Sequence, residues 1–513
     1  MLVTIVIILC VLFLMQIYST RTFNYWKKKG IKHDAPLPLF GTNCKQFMQK
    51  ASMTMMANET YWRYPNERVV GFYRGLAPEL VMRDPKLVKQ ILIADFNYFY
   101  SRGFLPNKFY IEPLLKNLFF ADGDLWKLLR QRFSPVFSIG KIKAMFPLIT
   151  ERAEKLQLVA EKVSTLDSYD IRELMSRYTT DFIGACCFGL NMDTLNDGRS
   201  EFLKIGKRIF SKPPGDALRG SLKVISPKLF KYLHFLPPSL ETSVNNLVIS
   251  VMQQRNYKPS GRNDFIDLML ELKQNGNLLG ESIEQKYFDG STKIVQIEFN
   301  YALLIAQVFV FFAAGFETSS TSSSYTLHQL AYHPEIQRKV QEEIDTVLEK
   351  YDNKVTYDAV NDMKYLEKCF YESLRKWPPI GYIMRECAKK YTFPEINLTI
   401  DKGIKVIIPI TAMMNDGKYF AEPEKFDPDR FKSMKDMKNN VFIPFGDGPR
   451  ACVGGRLGLM QSMAGIAAVL QKFDVEPSSE SVPNPKADPT GTVAENFAGG
   501  LHLKLRKRKC KNN

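Results

Sequence analysis

The chain has 513 residues, of which 45% are hydrophobic and 12% are aromatic, and it carries a formal net charge of +16. This composition excludes an intrinsically disordered chain and allows a large buried core. The positive charge implies an acidic partner or an anionic surface, but the basic residues are spread along the chain without aromatic-interleaved clusters, so we do not expect nucleic-acid binding.

The first predicted element is an N-terminal membrane anchor at residues 1–20. Leu2 to Ile17 is almost wholly apolar, and the first charged residue is Arg21. About 17–25 apolar residues are enough to cross a bilayer as a helix. A cleaved signal peptide is the alternative, but no basic residue precedes the apolar run and no clear small-residue cleavage site follows it. Lysines follow the run instead, which favours an uncleaved anchor with the rest of the chain in the cytosol.

The remaining chain is predicted to form one large domain. Residues 21–40 are basic and contain prolines, which predicts a hinge. Residues 41–505 are predicted to form the main domain, mainly α with a minor β region, and residues 506–513 a basic, solvated tail. Short β-like runs at 68–73 and 79–83 precede a region, from about Asp84 to Lys350, in which helical periodicity dominates.

The clearest helix signal lies between about Asn300 and His333, where Gly315 is the single glycine and proline is absent. Residues 301–316 are apolar on every face, which indicates a helix buried in a large core. Proline at the first helical position favours a second helix from Pro334. The helix from Pro334 is predicted to end near Tyr351. Further predicted elements are a helix from near Tyr357 to Trp377, a strand at 404–410 and a last long helix after Arg456.

A glycine-rich loop at residues 445–454 holds Cys452 just before that last helix. Backbone amides at a helix start favour a thiolate, and Arg450 supplies a nearby cation. The eight cysteines include no Cys-x-x-Cys pair and the five histidines are scattered, so we expect neither a zinc nor an iron–sulfur site. A functional cysteine would therefore act alone. The alternative is a buried structural cysteine.

The same loop also satisfies a dinucleotide-binding fingerprint, Gly446-x-Gly448-x-x-Ala451. However, Pro449 interrupts it, and only about sixty residues follow it, too few for the unit that a dinucleotide needs. We therefore reject a nucleotide site here.

The loop resembles the haem-binding loop of the cytochrome P450 family, Phe-x-x-Gly-x-Arg-x-Cys-x-Gly. Other segments are similar to further family signatures: the Glu-x-x-Arg pair, the later Pro-x-Arg-Phe element, the oxygen-activation site and an early helix signature. The likeness extends over essentially the whole chain and is greatest to insect microsomal members that oxidise xenobiotics. The matching residues are Phe445, Gly448, Arg450, Cys452 and Gly454 in the loop, then Glu372 and Arg375, residues 428–431 with Arg430, residues 314–318 with Glu317 and Thr318, and Trp126 with Arg130.

The resemblance implies a haem-thiolate monooxygenase fold in which Cys452 is the axial ligand of the iron of haem b. Two buried carboxylates, the haem propionates, need cationic or N–H partners. Thr318 and Glu317 would be catalytic and relay protons to bound dioxygen, beside a local opening of the helix at Gly315. The alternative for Thr318 is a hydroxyl that only bonds its own helix. The implied haem-binding residues are Trp126, Arg130, Arg385, Arg450 and Phe445, with Arg102 as a further candidate, and the implied structural residues are Glu372, Arg375 and Arg430.

The implied reaction inserts one oxygen atom of O2 into a lipophilic small molecule, either a xenobiotic or an endogenous lipid or hormone. Electrons would come from NADPH through a separate flavoprotein reductase, at the endoplasmic reticulum membrane with the catalytic domain facing the cytosol. Alternatives are a haem-thiolate enzyme that rearranges or dehydrates without a reductase, which the intact Glu317–Thr318 pair disfavours, and a non-catalytic carrier. Expected reductase contacts are Lys127, Arg132, Lys141 and Arg456, and the expected substrate pocket draws on 104–120, the region near Phe210, 306–316, 380–383 and Phe497.

Overall fold

The structure is a computed structural model that describes residues 1–104, 112–190, 194–198, 200–210, 213–227, 229–262, 264–431 and 441–508. Within these ranges the chain is mainly α-helical with small β-sheets, which confirms the predicted fold class. The helices are α1 Leu2–Thr20, α2 Tyr25–Lys28, α3 Cys44–Phe47, α4 Met53–Arg63, α5 Pro85–Lys89, α6 Gly123–Phe133, α7 Ile139–Val163, α8 Ile171–Phe188, α9 Glu201–Phe210, α10 Pro214–Ile225, α11 Pro238–Gln254, α12 Phe265–Gln274, α13 Tyr301–Tyr332, α14 Pro334–Glu349, α15 Tyr357–Asp362, α16 Lys364–Lys376, α17 Ile410–Met414 and α18 Gly455–Lys472.

The strands form small sheets around the edge of the helical body. The largest sheet has the order β1-β2-β9-β6, in which β2 and β9 are parallel and the other neighbours are antiparallel. A three-stranded sheet has the order β10-β11-β3, and two hairpins pair β4 with β5 and β7 with β8. The strands are β1 Val69–Arg74, β2 Ala77–Met82, β3 Tyr169–Asp170, β4 Asn277–Lys286, β5 Thr292–Glu298, β6 Ile383–Glu386, β7 Tyr391–Phe393, β8 Leu398–Ile400, β9 Lys405–Ile408, β10 Phe473–Pro477 and β11 His502–Lys507.

Two of the described helices, α1 and α13, are long and apolar enough to cross a membrane. The apolar side chains of α1 are exposed almost throughout, whereas most of α13 is buried within the fold. An exposed apolar helix without a core to pack against is typical of a membrane anchor, so α1 is the candidate anchor and α13 is a core helix, as the sequence predicts.

The two segments that the sequence predicts to flank the main domain, a hinge and a tail, both contact it. Trp26 is completely buried, and its indole N–H donates a hydrogen bond to the Phe72 carbonyl oxygen over 3.2 Å. At the other end, β11 extends to Lys507, and the Arg508 guanidinium lies 2.7 Å from the Asp345 carboxylate. The hinge and tail boundaries stay predictions, but both segments are partly held by the fold.

Helix α13 runs through the centre of the body, where α8 and α18 pack against it. It begins where the Asn300 side chain accepts a hydrogen bond from the Leu303 amide, which satisfies one of the unpaired N–H groups of the first turn. It ends at His333, because the residue before Pro334 is disfavoured in the helical conformation. Proline then starts α14.

Two local predictions are wrong. The predicted helix from Tyr357 to Trp377 is two helices, α15 and α16, separated at Met363. There the Glu343 carboxylate, from α14, accepts hydrogen bonds from the first amides of α16, so a distant side chain stabilises the break.

Within the region predicted as helical, residues 277–298 form the β4–β5 hairpin, with Gly290 in its turn at φ +84°.

Candidate functional site

The Cys452 loop is a tight turn that brings the thiol to a fixed place. The Cys452 amide donates a hydrogen bond to the Phe445 carbonyl oxygen over 2.8 Å, which closes the loop. Gly448 has φ +70°, and a Cβ atom there would collide with the backbone of Leu92. Glycine is therefore required at this position by both its conformation and its packing.

The Cys452 side chain lines a cavity of about 270 Å³. The surface that Cys452 exposes lines this cavity. Burial is the main cause that raises the pKa of its thiol. Two effects oppose burial and lower the pKa of the thiol: a hydrogen bond from the Gly454 amide and the positive charges of Arg102 and Arg130. A bound metal cation would deprotonate the thiol outright.

Positive charge gathers on one side of the same cavity, which Arg102, Arg130, Arg385 and Arg450 all line. Burial is the first cause that lowers the pKa of each, and their mutual repulsion adds to it for three of them. Nitrogen atoms of three of these guanidinium groups are buried without a hydrogen-bond partner in the described part of the chain: Arg102 Nε, Arg385 Nε, and Nε and Nη1 of Arg450.

Buried guanidinium nitrogens without a hydrogen-bond partner are costly unless an anion joins them. The Arg450 guanidinium also lies 4.3 Å from the centre of the Trp126 ring, and Arg130 donates a hydrogen bond to the Ala451 carbonyl oxygen over 2.9 Å. A thiol, an otherwise largely apolar lining and free guanidinium nitrogens fit a flat apolar group that carries a metal ion and two carboxylates. The residues present therefore fit haem b.

Helix α13 contributes Thr318 to the cavity wall, together with Ala314 and Gly315. The Thr318 hydroxyl donates a hydrogen bond to the Ala314 carbonyl oxygen over 2.6 Å. The predicted opening of the helix at Gly315 is not present, because α13 is continuous from Tyr301 to Tyr332. Glycine has another effect there: it leaves room for the Ile183 side chain on α8, which a Cβ atom would have to displace.

Glu317 is placed differently from Thr318. It is buried, it is not one of the residues that line the cavity, and it accepts a hydrogen bond from Arg172 Nη2 over 2.5 Å. Burial raises the pKa of the Glu317 carboxyl, and the Arg172 charge acts in the opposite direction. The structure thus brings Thr318, but not the Glu317 carboxylate, to the same cavity as Cys452.

The predicted structural residues meet in a buried cluster. Arg375 donates to both oxygen atoms of Glu372, over 2.8 and 3.0 Å, and Arg430 Nε donates to Glu372 Oε1 over 3.0 Å. Arg375 also donates to the carbonyl oxygens of Met414 and Pro423. The cluster joins α16 to the chain that leads to the Cys452 loop.

The predicted pocket is found in part. Phe104, Phe119 and Tyr382 line the cavity, whereas residues 105–111 lie outside the described ranges. Phe210 and Phe497 are not among the lining residues; Phe497 packs on Trp377 and Tyr325 in the core. The sequence analysis missed Ile183 and Gln461, which line the cavity, and Asp122, whose carboxylate accepts a hydrogen bond from Arg450 Nη2 over 3.0 Å. The position of Asp122 just before the Trp126–Arg130 signature is a signal that could have identified it.

Comparisons with known proteins agree with this geometry. A family model described as Cytochrome P450 matches residues 32–497. Cytochrome P450 6B7 of Helicoverpa armigera is 36% identical over 500 residues, covering 96% of each chain. Cytochrome P450 6B1 of Papilio polyxenes is 36% identical over 501 residues, 96% of this chain and 97% of that one. Cytochrome P450 6a2 of Drosophila melanogaster is 35% identical over 524 residues, 99% of this chain and 100% of that one.

The match extends over the Cys452 loop, the arginine-lined cavity and helix α13 together, and the relatives just described are all insect proteins. The chain belongs to the cytochrome P450 family of haem-binding monooxygenases.

Proposed function

We propose that this protein is a membrane-anchored monooxygenase that inserts one oxygen atom of O2 into lipophilic small molecules, with electrons from NADPH delivered by a flavoprotein reductase. One observation carries the proposal: Cys452, three arginines with unpartnered nitrogen atoms and Thr318 all line one largely apolar cavity. A thiolate on one wall and a hydroxyl on a neighbouring helix are the groups that this chemistry requires.

The haem, when bound, supplies an iron centre whose thiolate ligand favours cleavage of the O–O bond. The protein's part is to hold and orient it. Cys452 would provide the sulfur, and Arg102, Arg130, Arg385 and Arg450 would donate to the propionates. All of these arginines except Arg130 carry a buried nitrogen atom that otherwise lacks a partner. The stack of Arg450 on Trp126 fixes the guanidinium plane.

Thr318 is the residue that we propose for proton delivery. Its hydroxyl proton is engaged by the Ala314 carbonyl, so its oxygen is free to accept a hydrogen bond from a water molecule in the cavity. Glu317 is the proposed source of those protons, since a carboxyl with a raised pKa holds a proton more readily. To act so, its carboxylate must leave Arg172.

The cavity lining favours a lipophilic substrate. Besides its polar end, the cavity is lined by aromatic and aliphatic side chains, which is typical of sites for apolar small molecules. We propose that the substrates are xenobiotics or endogenous lipids or hormones. The aromatic and aliphatic residues include Phe104, Phe119, Val310, Phe311, Ile380 and Ile383.

We propose that the protein lies at the endoplasmic reticulum membrane with its catalytic domain in the cytosol. Support comes from α1 and from further apolar side chains that are each more than half exposed, Leu218, Leu229 and Tyr232. The helix that carries Leu218, α10, contacts α3, which follows the anchor closely in the chain. The two apolar features can therefore meet the same bilayer.

The reductase is proposed to bind near α6 and the Cys452 loop. Arg132 and Lys141 are exposed there, as an acidic partner would require. Lys127 and Arg456 are partly engaged within the protein, with Glu281 at 3.7 Å and the Tyr357 hydroxyl at 2.9 Å. The exposed pair is therefore the better supported part of this surface.

Reconstitution with a flavoprotein reductase tests the function. The proposal expects substrate-dependent NADPH consumption and an oxygenated product in a screen of terpenoids, plant toxins, insecticides and fatty acids. Turnover of a lipid hydroperoxide without NADPH would indicate the rearranging enzyme instead. Haem and ligand binding without turnover of either kind would indicate a carrier.

A further inference from the structure

Asp122 lies where three chain segments meet, and each segment carries one arginine of the cavity. Its Oδ1 atom accepts hydrogen bonds from the Arg102 amide over 2.9 Å and from Arg450 Nη2 over 3.0 Å. Its Oδ2 atom accepts from the Ser101 hydroxyl over 2.6 Å. The Ser101 carbonyl in turn accepts from the Glu386 amide, next to Arg385.

The placement of this carboxylate is unusual for its position in the chain. Asp122 is the residue that precedes α6, where aspartate normally accepts a hydrogen bond from an amide of the first turn. Here its side chain caps no amide of α6 and is turned toward the arginines instead. It is 19% exposed, so it acts in a partly dry environment in which charge interactions are strong.

We propose that Asp122 is a positioning residue that orients Arg450 toward the haem propionates and sets the reduction potential of the haem iron. The inference rests on the proposed propionate site. Asp122 holds Nη2 of Arg450, and the two remaining nitrogens, Nε and Nη1, are left for a bound carboxylate. Its negative charge also offsets part of the charge of the arginine cluster.

The direction of the effect follows from the charge. Reduction adds an electron to the iron, and a nearby negative charge disfavours that addition. Removing the charge of Asp122 leaves the cluster more positive, so the reduced state becomes easier to reach and the midpoint potential rises.

The test is a redox titration of the purified, haem-loaded protein. Asp122→Asn keeps the shape of the side chain and removes its charge, and we expect a higher ferric–ferrous midpoint potential with normal haem content. The matched control is Asp124→Asn, two residues along the chain. The Asp124 carboxylate bonds Ser282 and Ile283 on β4, so this variant should leave the potential unchanged.

The ferrous–carbonyl spectrum of the unaltered protein is recorded first, because it tests the haem site itself. With that spectrum normal, an unchanged potential in Asp122→Asn, or an equal shift in Asp124→Asn, overturns this inference alone. If Asp122→Asn folds by circular dichroism but loses haem, Asp122→Glu decides. Haem retained by Asp122→Glu supports the role of the charge, and haem lost from both variants overturns it.

Discussion

Arg375 binds Glu372 through two hydrogen bonds, and neither side chain exposes any surface to solvent. The two residues are three positions apart on α16, a spacing that on a helix surface contributes only about 0.2–0.5 kcal/mol. Burial changes that magnitude, because a charge that loses its partner inside the protein is left without water. This pair therefore supports the fold on which the Cys452 loop depends.

Glu372→Ala and Arg375→Ala are each expected to abolish haem incorporation or folding, at a cost of about 3–5 kcal/mol in the free energy of unfolding. The matched control is Glu201→Ala, which breaks the exposed pair with Lys204 at the same spacing. Haem content and thermal midpoints of the three variants provide the check. Full haem content with a normal midpoint in either buried variant would refute the structural role.

Deletion of residues 1–20 should leave the haem spectrum intact and release the protein from membranes only in part. The remaining attachment is expected from Leu218, Leu229 and Tyr232, so replacing all three with serine in the truncated protein should complete the release. Sedimentation with vesicles measures both. Complete release by the truncation alone would contradict a second membrane contact.

A longer deletion, of residues 1–30, serves as a comparison. It removes Trp26, which is completely buried, and the hydrogen bond from Thr22 to the Leu76 carbonyl oxygen. Loss of a buried Trp side chain typically costs about 3–5 kcal/mol, so this protein should be far less stable than the shorter one. Equal stability of the two would show that the fold begins later than Trp26.

Thr318→Ala should bind haem and substrate and still consume NADPH with reductase present, but release hydrogen peroxide in place of product. The reason is that electron entry does not pass through the hydroxyl, whereas proton delivery does. Thr318→Ser, which keeps a hydroxyl, should remain mostly coupled. NADPH, peroxide and product are measured in one reaction. Normal coupling in the alanine variant would show that Thr318 only bonds the Ala314 carbonyl of its own helix.

Arg172→Gln should lower the thermal midpoint, and by more at alkaline than at acidic pH. Burial already raises the pKa of Glu317, and loss of the Arg172 charge raises it further. When the pKa of a carboxyl is higher in the folded protein than in the unfolded protein, where it is about 4.3, the fold loses stability as the pH rises from the lower pKa to the higher one. The thermal midpoints of Arg172→Gln and of the unaltered protein should therefore differ more and more as the pH rises from about 5.5 to about 8.5.

Arg177→Gln is the control on the same helix. Its partner Glu173 has a lowered pKa and also bonds Lys207, so the difference in midpoint should be small and constant over that pH range. A constant difference for Arg172→Gln as well would mean that Glu317 does not titrate there.

Sequence motifs located the thiol, Arg130, Arg450 and the Glu372 cluster because each is carried by a short, local pattern. Contacts between distant segments were harder to foresee. Glu343 splits the helix that periodicity alone predicts to be continuous, and Arg172 turns Glu317 away from the cavity. The β4–β5 hairpin had a local signal, Asp289-Gly290, a dipeptide typical of hairpin turns. Its strands gain stability from Asp124 on α6, which no local pattern reveals.

The central claim is that Cys452 binds the haem iron as a thiolate, and the ferrous–carbonyl spectrum tests it most directly. The account predicts a Soret band shifted to the red, as thiolate ligation requires, and predicts that Cys452→Ala loses this band. Cys387→Ala, which changes a buried cysteine outside the lining of the cavity, should keep it. An unshifted band in the well-folded, unaltered protein would contradict the account.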